Sequence, residues 1–259
     1  MGEIAFVGTG LADEGGLSRR ALDRLRSAGR LFAEEYTATL VPGSLDRLEG
    51  MVGRPIERLD RAQVESADAI LKALATEPTV AFLVAGDPFA ATTHVALRVA
   101  AERAGHRWTY VPGPSIHTAA ASLLGLMHYK FGRTVSIPFA DPGFAPTSFL
   151  DGIMANLSIG AHSLVLLDLR PDEGRFMTAN EGLRLLRERD ADHRVATLDR
   201  AVAVVARVGR DDADAWFGRW GDLEAVDVGP PLHAVVVPAL PFHFQEEEAI
   251  ARFRWPRGR

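Results

Sequence analysis

Short apolar runs alternate with amphipathic stretches along the first half of the chain. The runs predict strands at 4–7, 30–33, 56–59, 79–84 and 108–111. Between them, apolar residues recur at helical spacing and predict helices at 17–27, 44–52, 64–75, 95–103 and 116–124. Strands that alternate with helices are typical of βαβ units and a parallel sheet. We therefore expect an α/β fold in this half.

A second series of elements follows an interruption at 125–132. Strands are predicted at 134–137, 163–169, 201–208 and 232–237, and a helix is predicted at 178–189. The stretch 138–146, rich in proline, glycine and aromatic residues, predicts a loop, and the arginine-rich tail 252–259 predicts a solvated end. The sequence therefore predicts two α/β domains, 1–132 and 133–259.

Composition narrows the classes of protein to consider. The chain has 259 residues, 47% of them hydrophobic and 24% charged, which allows a sizeable core. A net charge of −5 without a basic block argues against nucleic acid as a partner. The absence of cysteine excludes disulfides, cysteine nucleophiles and thiolate metal sites. No apolar run reaches the about 18 residues typical of a membrane span, and we find no signal peptide, so we expect a cytoplasmic protein without a membrane partner.

The segment Gly86–His94, sequence GDPFAATTH, lies between a predicted buried strand and a predicted helix. In open α/β sheets, ligands bind where strands end and helices begin. Gly86 permits a sharp turn, and Pro88 restricts Asp87 to an extended conformation, which would hold the carboxylate in place. An ordinary Asp-Pro turn that caps a helix is an equally good interpretation of these residues alone.

The first predicted strand ends in a glycine loop, Gly8–Asp13, with the sequence GTGLAD. The loop begins like a dinucleotide-binding G-x-G-x-x-G motif, but Asp13 stands where the third glycine belongs. Glu34 or Glu35 could supply the acid that such a site needs. A loop that approaches another adenosine-bearing ligand is equally compatible with the sequence.

The remaining polar candidates are a serine and several histidines. Ser115 stands at a predicted helix start, where a helix cap and a ligand contact are comparable alternatives. The eight histidines lack metal-ligand spacing, so no metal is expected. His233, at the start of a predicted strand, is the histidine most open to a role in a binding site. Because no nucleophile motif stands out, chemistry by positioning of a reactive cosubstrate is favoured.

Several sequence blocks occur in an order typical of one family. The blocks are GTGL at 8–11, FAEEYT at 32–37, GDPFAATTH at 86–94, PSI at 114–116, YKFG at 129–132, PTS at 146–148, MTANE at 177–181 and PPLH at 230–233. With them, the chain closely resembles the diphthine synthase branch of the tetrapyrrole methylase-like family over nearly its whole length. The ATTH and MTANE blocks are specific to this branch, whereas GDP alone indicates the wider superfamily.

The resemblance implies a fold, a reaction and a partner. The fold would consist of two α/β domains of the tetrapyrrole methylase type with the cofactor in the cleft between them, assembled as a homodimer. The enzyme would be an S-adenosyl-L-methionine-dependent methyltransferase that releases S-adenosyl-L-homocysteine. Its substrate would be the 3-amino-3-carboxypropyl-modified histidine of translation elongation factor 2, whose amino group is methylated to give diphthine in diphthamide biosynthesis. A small-molecule, precorrin-type tetrapyrrole methylase is the first alternative, and a nicotinamide-dependent oxidoreductase, disfavoured by the missing third glycine, is the second.

The resemblance also implies which residues contact the cofactor. Carried over position by position, they are Leu11, Asp87, Ala90, Ser115, Ile116, Leu167, Val208 and His233. Asp87 would then mainly fix the cofactor. No residue stands out as the catalytic base for the substrate amine, for which water, Asp87 and Glu34 are the candidates.

Overall fold

The computed structural model of the chain describes residues 1–256. They divide into two compact units, Met1–Ile116 with Pro171–Glu173, and His117–Arg170 with the rest of the chain from Gly174. The boundary between them lies after Ile116, the first residue of a helix whose other residues belong to the second unit, whereas the sequence-based boundary lies after residue 132.

The first unit is built on a five-stranded parallel sheet. Its strands are β1 (Glu3–Gly8), β2 (Arg30–Glu34), β3 (Ile56–Leu59), β4 (Thr79–Val84) and β5 (Arg107–Val111), in the order β3-β2-β4-β1-β5. Its helices are α1 (Arg19–Ser27), α2 (Ser44–Val52), α3 (Arg61–Ser66), α4 (Asp68–Thr76) and α5 (Val95–Arg103). The parallel sheet predicted for this half is therefore confirmed.

Alternate residues of the central strands face opposite layers of helices. Ala5 and Val7 of β1 pack in a core cluster with residues of α1 and α2, whereas Ile4 and Phe6 pack in a second cluster with residues of α4 and α5. Both clusters are buried, so the sheet is covered on its two faces. This explains why the central strands β1 and β4 contain continuous apolar runs in the sequence.

The predicted helix 64–75 is wrong, because the structure has two helices there. The chain breaks at Ala67, whose φ of 60° is left-handed, between α3 and α4. A capping box between Asp60 and Gln63 starts α3 earlier than predicted. Alanine and leucine favour helix throughout this stretch, so local propensity gives no sign of the break.

The second unit has a mixed five-stranded sheet and a small hairpin. Its strands are β6 (Val135–Ile137), β7 (Ser163–Leu167), the hairpin β8 (Leu169–Arg170) and β9 (Arg175–Phe176), β10 (Ala201–Ala206), β11 (Asp214–Arg219) and β12 (His233–Val237). The order in the main sheet is β11-β10-β12-β7-β6, and the β6–β7 pair is parallel, whereas the other pairs are antiparallel. Its helices are α6 (Ile116–Leu124), α7 (Ser148–Ser158), α8 (Ala179–Arg189), α9 (Trp220–Ala225) and α10 (Phe244–Ala251).

Two predicted strands of this unit are shorter than expected. The strand predicted at 163–169 ends at Leu167, where Asp168 accepts a hydrogen bond from the Phe139 amide at 2.9 Å. The strand predicted at 201–208 ends at Ala206, because Arg207 has a φ of 53° and turns the chain.

The C-terminal tail is not a solvated end as far as it is described. Phe217 of β11 donates a backbone hydrogen bond to Phe253 and accepts one from Trp255, each at 2.7 Å. Phe253 is buried, and Trp255 packs against the core of the unit. The last three positions of the predicted tail, 257–259, lie outside the described residues.

Candidate functional site

The strand order of the first unit changes direction between two neighbouring strands. From β1 the chain runs toward β2 and β3, and from β4 it crosses β1 to reach β5. The loops after β1 and β4 therefore flank a topological switch point at the carboxyl edge of the sheet, where open α/β proteins bind ligands. These are the two glycine loops singled out from the sequence.

Three glycines bring the strand ends into backbone contact at this edge. A Cβ added to Gly8 would lie 2.4 Å from the Gly113 nitrogen and 2.6 Å from the Gly86 oxygen. The Gly86 amide donates a 2.7 Å hydrogen bond to the carbonyl of Gly10, and both residues have positive φ, at 75° and 87°. Side chains at 8 or 113 would force these strand ends apart.

Five of the predicted cofactor contacts lie in the loops at this edge or at the first helical residue after them. They are Leu11 after β1, Asp87 and Ala90 after β4, and Ser115 and Ile116 after β5. Leu11 and Pro114 lie next to the turn at Gly86, since a Cβ built there would be 3.9 Å from Leu11 Cδ2 and 3.8 Å from the Pro114 oxygen. The structure therefore brings all three loops together, although their contact with a cofactor stays a prediction.

The Asp87 carboxylate is held by two donors from its own unit. Oδ1 accepts a 3.0 Å hydrogen bond from the Phe89 amide, and Oδ2 accepts one from the hydroxyl of Tyr110. Partial burial and the neighbouring carboxylate raise the pKa of Tyr110 to about 12, so the phenol is a donor at neutral pH. Tyr110 was missed in the sequence because it lies on β5, 23 residues from its partner.

His94, at the end of the GDPFAATTH block, fixes the same loop through a hydrogen bond to its backbone. It is buried, and its Nδ1 donates to the carbonyl of Pro88 at 2.9 Å, which leaves Nε2 as an acceptor for the Tyr36 hydroxyl at 3.3 Å. Burial lowers the pKa of His94, so the ring is neutral. The motif histidine therefore fixes the loop after β4.

Glu34, a candidate base, is engaged in local structure. Its side chain is buried, and its carboxylate accepts hydrogen bonds from the amides of Tyr36 and Thr37, both at 2.9 Å, and from the Thr37 hydroxyl. This geometry orients the turn after β2. It favours a structural role for Glu34 over proton abstraction.

The three contacts predicted in the second unit lie at one edge of its sheet. Leu167 ends β7, Val208 lies in the turn after β10, and His233 starts β12. Because β12 is antiparallel to both neighbours, His233 pairs with Ala206 at the end of β10, and Ala234 pairs with Leu166 near the end of β7. The sequence could predict approximately where these strands begin and end. It could not predict that β12 pairs antiparallel with both of its neighbours.

Both ring nitrogens of His233 are engaged by backbone groups. Nδ1 accepts a 3.1 Å hydrogen bond from the Ala179 amide at the start of α8, and Nε2 donates to the Pro230 carbonyl at 2.9 Å. Burial lowers the pKa of His233 to about 4. A cofactor contact of this residue would therefore use its ring face, its Cβ or its backbone.

Asp13, in place of the third glycine of a dinucleotide motif, has a capping role. Its Oδ1 accepts a 2.9 Å hydrogen bond from the Gly15 amide and starts the short 3₁₀ helix Glu14–Gly16. Among the described residues, no cluster of histidine and acidic side chains could hold a metal ion. In the same part of the chain, no helix is long and apolar enough to cross a membrane.

Comparison with known proteins agrees with this architecture. The family model of tetrapyrrole (corrin/porphyrin) methylases matches residues 3–224. A diphthine synthase of Methanococcus maripaludis is 39% identical over 249 residues, which cover 95% of this chain and 97% of that protein. A diphthine synthase of Methanocaldococcus jannaschii is 38% identical over 251 residues, with the same coverage of 95% and 97%. A crystal structure of diphthine synthase superposes with a TM-score of 0.88 at 32% identity, covering 97% of this chain and 96% of the other.

The fold and the loops at its switch point thus define a two-unit α/β methyltransferase. The chain belongs to the tetrapyrrole methylase family and, within it, to the diphthine synthases. The oxidoreductase alternative is therefore wrong.

Proposed function

We propose that this methyltransferase uses S-adenosyl-L-methionine and methylates the modified histidine of translation elongation factor 2. The observation that carries the proposal is the meeting of the three loops at the switch point, around Gly8, Gly86 and Gly113. Relatives that share 39% of its residues over nearly their whole length are named diphthine synthases. In this proposal the product is diphthine, as that name states.

The residues at the switch point suit such a cofactor chemically. The amino group and ribose hydroxyls of the cofactor are hydrogen-bond donors. Each Asp87 oxygen accepts one hydrogen bond from the described residues. A carboxylate oxygen has room for a second donor. When bound, the cofactor supplies an electrophilic methyl group on a sulfonium. We propose Leu11, Asp87, Ala90, Ser115, Ile116, Leu167, Val208 and His233 as its contacts.

The residues of the chain would act by positioning. Methyl transfer needs a neutral amine in line with the methyl group, and alignment in a site that excludes water can lower a barrier by roughly 7–11 kcal/mol. Asp87 is oriented by Phe89 and Tyr110, and the loop that carries it is tied to His94. In this proposal, these groups bind and orient the cofactor. We assign no base among them.

The test is methylation of elongation factor 2 in vitro. The purified enzyme, the methyl donor and elongation factor 2 that carries the 3-amino-3-carboxypropyl histidine should give a mass increase of three methyl groups on that histidine. Elongation factor 2 with an unmodified histidine is the control and should gain none. Methylation of a precorrin without any change in elongation factor 2 would instead establish the tetrapyrrole alternative.

The role of Asp87 has its own prediction. Asp87→Asn keeps the size of the side chain but removes the negative charge, so the cofactor Kd measured by calorimetry should rise about tenfold, while turnover at saturating cofactor changes less. Asp199→Asn, at a side chain that is 88% exposed, is the matched control and should leave Kd unchanged. An unaltered Kd in Asp87→Asn would exclude Asp87 as a cofactor anchor.

We further propose that the enzyme is a homodimer, as the resemblance implies, and that it is cytoplasmic. A cytoplasmic location agrees with a substrate that works on the ribosome. Light scattering of the purified protein tests the assembly, for which a mass near 28.1 kDa would indicate a monomer.

A further inference from the structure

The loop after β4 folds back over one face of the sheet of the first unit. On this face, Phe82 of β4, Phe6 of β1 and Tyr110 of β5 form a row across neighbouring strands. Phe89 of the loop packs on Phe6 with ring centroids 4.9 Å apart and on Tyr110 at 5.4 Å. The loop that carries Asp87 is therefore seated on this aromatic row.

Tyr110 contacts the loop in two ways. Its ring packs against Phe89, and its hydroxyl donates to Asp87 Oδ2, so one side chain holds both the apolar and the charged part of the loop. The side chain reaches Asp87 from the edge strand β5, whereas Asp87 follows β4, with β1 between the two strands. This bond spans the switch point on which the proposed cofactor site is built.

The phenol leaves Asp87 able to bind a ligand. A carboxylate with one oxygen fixed by the Phe89 amide and the other by the Tyr110 hydroxyl cannot rotate freely, yet each oxygen keeps a lone pair for a further donor. A preoriented acceptor binds more tightly than a mobile one because less conformational freedom is lost on binding.

We propose that Tyr110 is a positioning residue for the cofactor site: its hydroxyl orients the Asp87 carboxylate that binds the cofactor. The inference rests on the proposed function, in which Asp87 is the cofactor anchor. It adds to that function a residue that the family resemblance did not assign, on a strand whose own residues were not expected to reach the site.

The test is Tyr110→Phe, which removes one oxygen atom and keeps the ring on Phe89. The Kd for S-adenosyl-L-homocysteine, measured by calorimetry, should rise about three- to tenfold, and the KM for the methyl donor should rise with little change in kcat. Tyr129→Phe is the matched control, because this tyrosine is 80% exposed and its hydroxyl contacts Met127 in the other unit. It should leave Kd unchanged.

A double-mutant cycle separates positioning from packing. If Tyr110 acts through Asp87, Tyr110→Phe should have almost no further effect on Kd in the Asp87→Asn background. Trp108→Phe alters the same strand and also packs on Phe89, with centroids 6.4 Å apart, but no contact joins it to Asp87 among the described hydrogen bonds. It should therefore weaken binding less than Tyr110→Phe does.

The outcomes are distinguishable. A wild-type protein that binds no cofactor overturns the proposed function and this inference with it. Wild-type binding with an unchanged Kd in Tyr110→Phe overturns the inference alone. Equal losses in Tyr110→Phe and Trp108→Phe, or a Tyr110→Phe effect that persists fully in the Asp87→Asn background, show packing of β5 and also overturn it.

Discussion

His233 joins three segments of the second unit through its imidazole ring. It starts β12, accepts from the first residue of α8 and donates to the Pro230 carbonyl. These two bonds allow one neutral tautomer, with the proton on Nε2, because a backbone amide can bond only to a nitrogen without a proton. A charged ring would lose the bond from Ala179, in addition to the cost of its burial.

We predict that His233 titrates with a pKa of about 4, well below the ordinary histidine value of 6.5. Long-range proton–nitrogen NMR spectra of the imidazoles, assigned with a His233→Gln variant, should show a neutral ring protonated at Nε2 from pH 8 down to pH 5. A ring that gains its second proton near pH 6.5 would contradict the assignment of both hydrogen bonds.

At the scale of residues, the sequence placed the candidate site residues at strand ends but did not show which side chains hold them. The acid of the GDP block and the glycines around it could be placed at a strand end, because a buried strand, a glycine and a helix follow one another in the chain. The tyrosine partners of Asp87 and His94 could not be predicted. Tyr110 and Tyr36 lie 23 and 58 residues away from them, and contacts at such separations depend on the order of strands in the sheet.

At the scale of elements, the ends of β1, β4 and β5 can pack closely at the switch point only because glycines there have no side chains. Gly8→Ala would place a methyl group against backbone atoms of Gly86 and Gly113, which cannot move without separating β1, β4 and β5. We expect a loss of about 2–4 kcal/mol in the free energy of unfolding, measured by urea titration. A loss of affinity for the cofactor should accompany it.

The control is a glycine in an open position. Gly50→Ala in α2 has nothing within 4 Å of the added Cβ and should stabilise the protein by about 0.5–1 kcal/mol. Equal effects of the two substitutions would mean that the strand ends are not in close contact.

The connection between β4 and α5 contains an alanine in a strained conformation. Ala91 has a φ of 58° and is exposed, so Ala91→Gly should relieve strain without loss of buried surface. We expect an increase of about 1 kcal/mol in the free energy of unfolding. Ala96→Gly, at an exposed position inside α5, should cost about 1 kcal/mol, and the same sign for both variants would contradict the geometry of the loop.

Helices and strands were predicted well where one hydrophobic pattern continues along the whole element. They were missed where tertiary packing overrides that pattern. The helix Ser44–Val52 was predicted to the residue, because Gly53 ends it in a left-handed cap. The helix α7 was missed, since its Gly152 argues against a helix but in fact allows close packing on Val135 of β6, 2.6 Å from an added Cβ. Strand β11, with Asp214 and Gly218 within it, also lacks a regular pattern.

At the scale of the whole molecule, the sequence indicated two α/β units but not the difference between their sheets. Strand β10 is uniformly apolar, and so is β12 after His233, as parallel buried strands are, although the two strands pair antiparallel. Burial on both faces produces the same pattern for either direction. The direction depends on the missed strand β11, which lies at the edge beside β10.

Buried and partly buried titratable groups of both units limit the pH range of stability in a predictable way. Burial lowers the pKa of His94, His162 and His233, so below pH 6.5 the unfolded chain binds protons that the folded chain does not. Burial raises the pKa of Tyr36 and Tyr110 to about 12, so above pH 10 the folded chain retains protons that the unfolded chain releases. Stability should therefore fall on both sides of a plateau.

We predict that the free energy of unfolding is nearly constant between about pH 6.5 and 10 and declines outside that range. His233 alone should lower it by an amount on the order of 3 kcal/mol between pH 6.5 and its folded pKa of about 4. Burial opposes ionisation of Glu246, but hydrogen bonds from Lys130, Met127, His243 and His162 lower its pKa to about 2, so a further loss follows as pH falls below about 4.5. Urea titrations at intervals from pH 4 to pH 11 measure the curve.

Single substitutions identify the groups responsible for each limb of that curve. His233→Gln removes a group that titrates in the unfolded chain, so its decline between pH 6.5 and 4 should be shallower than in the wild type, whatever its stability at pH 8. Tyr110→Phe should reduce the decline above pH 10, because it removes one of the two phenols whose pKa is raised. An alkaline decline that is the same in Tyr110→Phe as in the wild type would show that the pKa of Tyr110 is not raised in the folded state.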